Sequence, residues 1–174
     1  MPRTGPASRL LVFAKAPRPG EVKTRLIPRL GPVGAAALHS QLIEHTLATA
    51  NIAAPGAVEL HGAPADDAFF RYCASRYGVS LVEQSGADLG ERMHAAFEHA
   101  FEQSGCRSAV LIGSDSPALT PRHLRLAQAA LDEGHDAVVA PAEDGGYVLI
   151  GMRRVDQRIF EHIQWSTDAV MAQT

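Results

Sequence analysis

Short apolar runs alternate with amphipathic stretches along this chain. Residues 9–14 (RLLVFA) are apolar after Arg9, the pattern of a strand buried on both faces. Further strands are predicted at 57–61, 80–83, 109–113, 136–141 and 147–152. Between them lie helical periodicities. Over 33–52, Leu38, Leu42, Leu47 and Ala50 fall close to one face. Over 65–77, Phe69, Phe70, Cys73 and Tyr77 sit at helical spacing. The cleanest stripe is at 88–103, where Leu89, Met93, Phe97, Ala100 and Phe101 align while Glu91, Glu98 and Glu102 fall off it. Gly105 marks the end of that helix. Thr120-Pro121 is an N-cap followed by proline at the first helical position. Leu124, Ala127 and Leu131 then repeat at helical spacing, and Gly134 closes the helix. A last helix is expected to open at Ser166 or Thr167 and to be running still at Thr174.

Alternating strands and helices predict an α/β sandwich with a mainly parallel sheet, and the hairpin-like pair near 136–152 adds one antiparallel strand. Ligands of such sheets collect beyond the carboxyl ends of the strands. That directs attention to the loops at 15–25, 114–118 and 143–147. The 174 residues suit a single domain, 1–174. Sixteen basic against 19 acidic side chains give a net charge of −3, which argues against a general nucleic-acid grip. No apolar run is long enough to span a bilayer. The first nine residues lack the apolar core of a secretion signal. The two cysteines, Cys73 and Cys106, lack metal-type spacing. A reducing, cytoplasmic setting is the expectation.

Four cations, Lys15, Arg18, Lys23 and Arg25, crowd into the loop after the first strand, against one carboxylate, Glu21. Pro17, Pro19 and Gly20 shape its turn, and Gly20 lets backbone N–H groups approach an anion. Lysine and arginine together neutralise a polyphosphate, so Lys15, Gly20, Lys23, Thr24 and Arg25 are the candidate nucleotide-phosphate residues. The same composition also suits a solvated basic loop, and the spacing is not that of a Walker A loop. Asp115, closing the 109–113 strand, is placed to hold Mg²⁺ or Mn²⁺, hard cations that share oxygen ligands with phosphates; alternatively it starts a turn. Asp144, within Glu143-Asp144-Gly145-Gly146-Tyr147, is the candidate catalytic residue, able to bind an acceptor hydroxyl, assist a metal or act as a base, and Gly145 and Gly146 permit close approach of a substrate. An ordinary Asp-Gly hairpin has the same signature. Asp88 is a natural N-cap. Gly90 in the first helical turn hints at close approach by another group, and Arg92 could reach a phosphate or carboxylate of the substrate. The eight histidines are scattered, and Trp165 reads as a packing residue.

In this order, FAKAPRPGEVKTRL (13–26), DLGERM (88–93), GSDSPALT (113–120), APAEDGGYVLIG (140–151) and WST (165–167) resemble a family of bacterial proteins labelled glycosyltransferases or nucleotide-diphospho-sugar transferases. That family is similar to 2-phospho-lactate guanylyltransferases and, more remotely, to the GT-A superfamily. The resemblance covers about residues 9–174 and implies a GT-A-like three-layer sandwich with a nucleotide–metal site. It places Lys23 and Arg25 on the phosphates, with Gly20 shaping the loop, Asp115 on the divalent metal, and Asp144, Gly145 and Gly146 near the acceptor or donor sugar. Members of the family continue past the WST segment through another strand and an acidic stretch, which implies either a short protein or a chain cut short at Thr174. The expected activity is metal-dependent glycosyl transfer from a nucleotide-diphospho-sugar to a small-molecule acceptor. The alternatives are nucleotidyl transfer with release of pyrophosphate, and a catalytically inactive nucleotide-binding module. Oligomeric state stays open.

Overall fold

The computed structural model describes residues 8–103 and 105–174. Eleven regular elements follow in chain order. They are β1 (Ser8–Lys15), α1 (Ile27–Ala53), β2 (Val58–Ala63), α2 (Ala68–Tyr77), β3 (Ser80–Glu83), α3 (Leu89–Glu102), β4 (Ser108–Gly113), α4 (Pro121–Asp132), β5 (Ala137–Pro141), β6 (Tyr147–Met152) and α5 (Val170–Gln173). The six strands form one sheet in the order β3-β2-β1-β4-β6-β5. The pairs β1–β2, β1–β4 and β2–β3 are parallel, and β6 runs antiparallel to both β4 and β5. The sheet is therefore mainly parallel with one reversed strand, as expected.

Burial explains the unbroken apolar runs. Leu10, Val12 and Ala14 of β1 pack with α1, α2 and α4 on one face of the sheet. Leu11 and Phe13 point to the other, where Met93, Phe97 and Ala100 of α3 and Phe160 cover them. Successive strand residues face opposite ways, so a strand covered on both sides needs apolar side chains at every position. The result is three layers, helix on sheet on helix. Helix α4 starts as the sequence predicts. Thr120 caps it and Pro121 follows, and the His123 side chain accepts from the Thr120 N–H to close a capping box.

Two expectations shift. In α1 the buried face is Ala36, His39, Ile43, Leu47 and Ala50, whereas Leu38 and Leu42 are only half-buried. A histidine holds one of the inner positions, so the apolar residues alone do not mark the buried face. The last helix is α5, opening after Ala169 rather than at Ser166 or Thr167. Ser166 has φ 65°, outside the helical region, and the Thr167 hydroxyl donates to the Gln164 carbonyl and accepts from the Ala169 N–H. These local bonds turn the chain and postpone the helix. The helical bonding runs on to Thr174, whose N–H donates to the Val170 carbonyl at 3.0 Å. Among the described residues no helix is long and apolar enough to cross a membrane.

Candidate active site

The reversed strand brings three loops to one rim. β1 and β4 both end there, and because β6 is antiparallel its first residues sit beside the end of β4, Leu149 opposite Ile112. The loop after β1 and Asp115 thus share an edge of the sheet, with the turn between β5 and β6 beside them.

The basic loop is built by its prolines and glycine. The Glu21 N–H donates to the Arg18 carbonyl at 3.1 Å, closing a turn with Pro19 and Gly20 at its centre. Gly20 has φ 87°, the left-handed geometry that the third position of a type II turn demands. Buried Ala16 and Val22 pin the loop at both ends. Its cations divide. Lys15 donates to the Glu21 carbonyl at 3.1 Å, and Arg18 bonds Asp67 at 3.2 Å. Lys23, itself at φ 49°, reaches across to Asp115, with Nζ 2.7 Å from Oδ1. Thr24 and Arg25 are exposed, and Arg25 makes no side-chain bond to the described residues.

Beside this pair stands His39, on the inner stripe of α1. Its side chain is 6% exposed. Nε2 lies 3.0 Å from the Lys15 carbonyl, and Nδ1 lies 3.8 Å from the same Asp115 oxygen that Lys23 holds. Burial is the main influence on this ring and lowers its pKa below the usual histidine range; the bond to Lys15 and the Asp115 charge pull the other way. Nδ1 is buried and has no hydrogen-bond partner among the described residues.

For a divalent ion this part of the rim offers one carboxylate, Asp115. Asp115 is 63% exposed, so its carboxylate can turn toward a ligand. No group of three or more His, Cys, Asp or Glu gathers among the described residues. An ion here would complete its shell with phosphate oxygens and water, as Mg²⁺ commonly does.

The β5–β6 turn is tighter. Asp144 Oδ1 accepts from the Gly146 N–H at 3.1 Å, and Gly145 has φ 83°. The close approach that Gly145 allows is made by the chain itself. A Cβ at that position would stand 2.1 Å from the Asp168 carbonyl oxygen, and the Gly145 carbonyl accepts from the Met171 N–H. The outer edge of Asp144 still lines a groove of about 510 Å³ with Ser116, His123 and Glu143. Asp115 and Asp144 therefore belong to adjacent loops on one rim, with Ser116 bridging the two.

The 88–93 segment meets this rim from the other face of the sheet, where Leu89 and Met93 line a cavity of about 140 Å³ with Phe13, Gly113 and Tyr147. Asp88 caps α3 by accepting from the Glu91 N–H at 2.8 Å. The group that approaches Gly90 is Trp165, whose ring would come within 2.8 Å of an added Cβ, with the Phe160 carbonyl at 2.9 Å. Arg92 donates to the Gly86 carbonyl at 3.1 Å and lines a separate cavity of about 160 Å³ with His61, Glu83 and His99. The structure thus gathers Lys15, Lys23 and Asp115, sets Asp144 and Gly146 alongside, and leaves Arg92 outside.

Residues 46–167 match the family described as an uncharacterized protein conserved in bacteria (DUF2064). The chain belongs to that family. No curated protein matches the sequence. Among solved structures it is similar to a protein of Desulfovibrio desulfuricans G20, provisionally assigned as a nucleotide-diphospho-sugar transferase, at 33% identity and a TM-score of 0.84. That match covers 96% of this chain and 73% of the other. A cytidylyltransferase from Leptospira borgpetersenii is 12% identical with a TM-score of 0.58, covering 89% of this chain and 62% of its own. A CMP:2-keto-3-deoxy-manno-octonic acid synthetase complexed with CTP is 10% identical with a TM-score of 0.54, covering 97% and 82%. These last two likenesses establish a shared fold.

For this DUF2064 chain, His39 is the site residue that the motifs do not reveal. It stands among eight histidines with no metal-type spacing. Its one signal is positional. It falls in register with Ile43, Leu47 and Ala50 on the helix that follows the basic loop.

Proposed function

We propose that this chain is a metal-dependent, glycosyltransferase-like enzyme that takes a nucleotide-diphospho-sugar donor. The observation that carries the reading is the 2.7 Å contact of Lys23 with Asp115. It joins the basic loop after β1 to the carboxylate after β4, at the edge of the sheet where ligands of this architecture bind. The 33% identical relative supports the donor class. Two free, buried cysteines suit a reducing cytoplasm.

In this reading Lys15, Lys23, Thr24 and Arg25 bind the diphosphate on the surface shaped by Gly20. Arg25, exposed and without a partner among the described residues, is ready to meet it. Asp115 holds Mg²⁺ or Mn²⁺; when bound, the ion offsets charge that develops on the departing diphosphate. The acceptor hydroxyl lies in the groove beside Asp144. Its oxygen forms a bond to C1 of the sugar while the C1–O bond to the diphosphate breaks, and its proton passes to the Asp144 carboxylate. The Gly146 N–H fixes Asp144 through Oδ1, leaving Oδ2 for the proton.

The cytidylyltransferase-like fold favours one second reading, nucleotidyl transfer. The same loop and ion would serve it, but the bond broken is at the α-phosphorus and the product is pyrophosphate. Product analysis with a panel of nucleotide-sugars and nucleoside triphosphates plus Mn²⁺ separates the two. Nucleoside diphosphate is the expected product, and pyrophosphate selects the second reading. Release of neither leaves only nucleotide binding. Lys23→Ala with Arg25→Ala should abolish nucleotide-induced thermal stabilisation while moving the apo Tm by only a few degrees, since exposed ion pairs contribute about 1 kcal/mol or less. Unchanged nucleotide affinity in that variant would overturn the site.

A further inference from the structure

We infer that His39 is a second protein ligand of the divalent ion, through Nδ1, and that it tunes the site toward ions that accept nitrogen. The inference rests on the reading of Asp115 as a metal carboxylate. It follows from a proton count on one buried ring. The Lys15 carbonyl can only accept a hydrogen bond, so Nε2, 3.0 Å away, carries the proton. In the neutral ring Nδ1 is then a bare lone pair. It is buried, has no hydrogen-bond partner among the described residues, and faces the Asp115 carboxylate oxygen at 3.8 Å.

A buried lone pair that faces a carboxylate oxygen is unfavourable unless a cation is shared between them. Lys23 brings positive charge to Asp115 Oδ1 but leaves Nδ1 without a hydrogen bond. An ion that binds both atoms satisfies both. Donors on one ion at about 2.1 Å lie roughly 3–3.5 Å apart. The observed 3.8 Å closes with a small rotation of the exposed Asp115 side chain.

The rest of the ring is arranged as a ligand requires. A metal-binding histidine typically donates its other N–H to a carbonyl or carboxylate, which fixes the tautomer and the ring plane. Here the Lys15 carbonyl at the end of β1 does this, and helix α1 holds the ring rigidly. Imidazole favours late first-row ions over Mg²⁺. Lys23 must leave Asp115 for the ion to enter, and the incoming phosphates give it a new partner. Ion binding should therefore depend on nucleotide.

The test uses the full chain with Mn²⁺ or Co²⁺ and a nucleoside diphosphate, whichever of UDP, GDP or CDP gives the largest thermal shift. Pulsed EPR of the Mn²⁺ complex should show ¹⁴N coupling from one imidazole. His39→Gln keeps a donor for the Lys15 carbonyl but removes Nδ1. It should erase the ¹⁴N signal and weaken Co²⁺-supported nucleotide binding at least about tenfold, with Mg²⁺-supported binding changed less than about twofold. His39→Asn, which returns a polar atom near the Nδ1 position, should recover part of the Co²⁺ effect. Mn²⁺ bound without ¹⁴N coupling in the wild type, yet lost in Asp115→Asn, overturns the role of His39 and leaves Asp115 standing. Nucleotide and Mn²⁺ binding indifferent to Asp115→Asn, or no Mn²⁺ binding by the wild type, overturns both.

Discussion

Two turns on the same rim carry the same kind of signal, an aspartate beside a glycine at the end of a strand, and the fold uses them differently. After β4, Gly113 borders open space, and Asp115 is an exposed carboxylate with a lysine and a histidine converging on it. After β5, Gly145 is pressed against the Asp168 backbone, and Asp144 spends one oxygen on its own turn. The difference lies in what fills the volume beside the glycine. Where the chain itself fills it, the motif is first an element of architecture. Where polar groups gather around unfilled space, it has capacity for a ligand.

Substitution of the glycines breaks this contrast most sharply. Gly145→Ala adds a Cβ 2.1 Å from the Asp168 carbonyl oxygen at φ 83°. The left-handed backbone costs about 1–2 kcal/mol and the overlap about as much again, so a loss of about 3 kcal/mol is expected in urea unfolding. Gly113→Ala meets nothing within 4 Å and has no such φ; it should leave stability nearly unchanged. Equal effects at the two positions would dissolve the distinction.

Gly90→Ala should fall between them. The added methyl meets the Trp165 ring and the Phe160 carbonyl, while alanine improves the helix by about 1 kcal/mol. A net loss of about 1–2 kcal/mol is expected from overpacking. Trp165 is the only tryptophan, so its emission should shift to the red as the ring is pushed outward. An unchanged spectrum and Tm would show that the ring does not rest on Gly90.

How much of this was legible in the sequence follows the same division. The strands announced themselves because β1, β4 and β6 are covered on both faces and must be apolar throughout. The caps at Asp88 and Thr120 were local, and local chemistry is readable. Gly90 and Gly145 could be seen to need space, but the groups that take it, Trp165 and Asp168, come from distant or later segments. His39 was hidden for the opposite reason. Its partners are a backbone carbonyl of β1 and a side chain 76 positions along the chain, and only the parallel pairing of β1 with β4 brings them together. The exposed cations were visible as a cluster, yet only the fold separates Arg18, committed to Asp67, from Arg25, which has no partner among the described residues.

The smallest expected effect sharpens the comparison at its finest grain, one atom on each side. Tyr147 begins β6, beside the tight turn, and its hydroxyl is buried without a well-formed hydrogen bond among the described residues, as is His39 Nδ1 across the rim. The two atoms differ in what they face. His39 Nδ1 faces a carboxylate, whereas burial is the main influence on the Tyr147 hydroxyl and pushes its pKa up, with the nearby Thr174 side chain pulling less strongly the other way. A group whose neutral form is favoured in the fold ionises first in the unfolded chain, near pH 10. Below that pH Tyr147 contributes its full share of stability. As pH rises past 10, the unfolded state has released its proton while the folded state retains it, and stability falls. Tyr147→Phe removes a hydroxyl that satisfies little, so at pH 7 the change should stay within about 1 kcal/mol. The variant should then lose less stability than the wild type between pH 9.5 and 11, in Tm measured at matched ionic strength. Parallel curves would show that the Tyr147 hydroxyl reaches water in the folded protein, and that the hairpin side of the rim is looser than its glycine contacts imply.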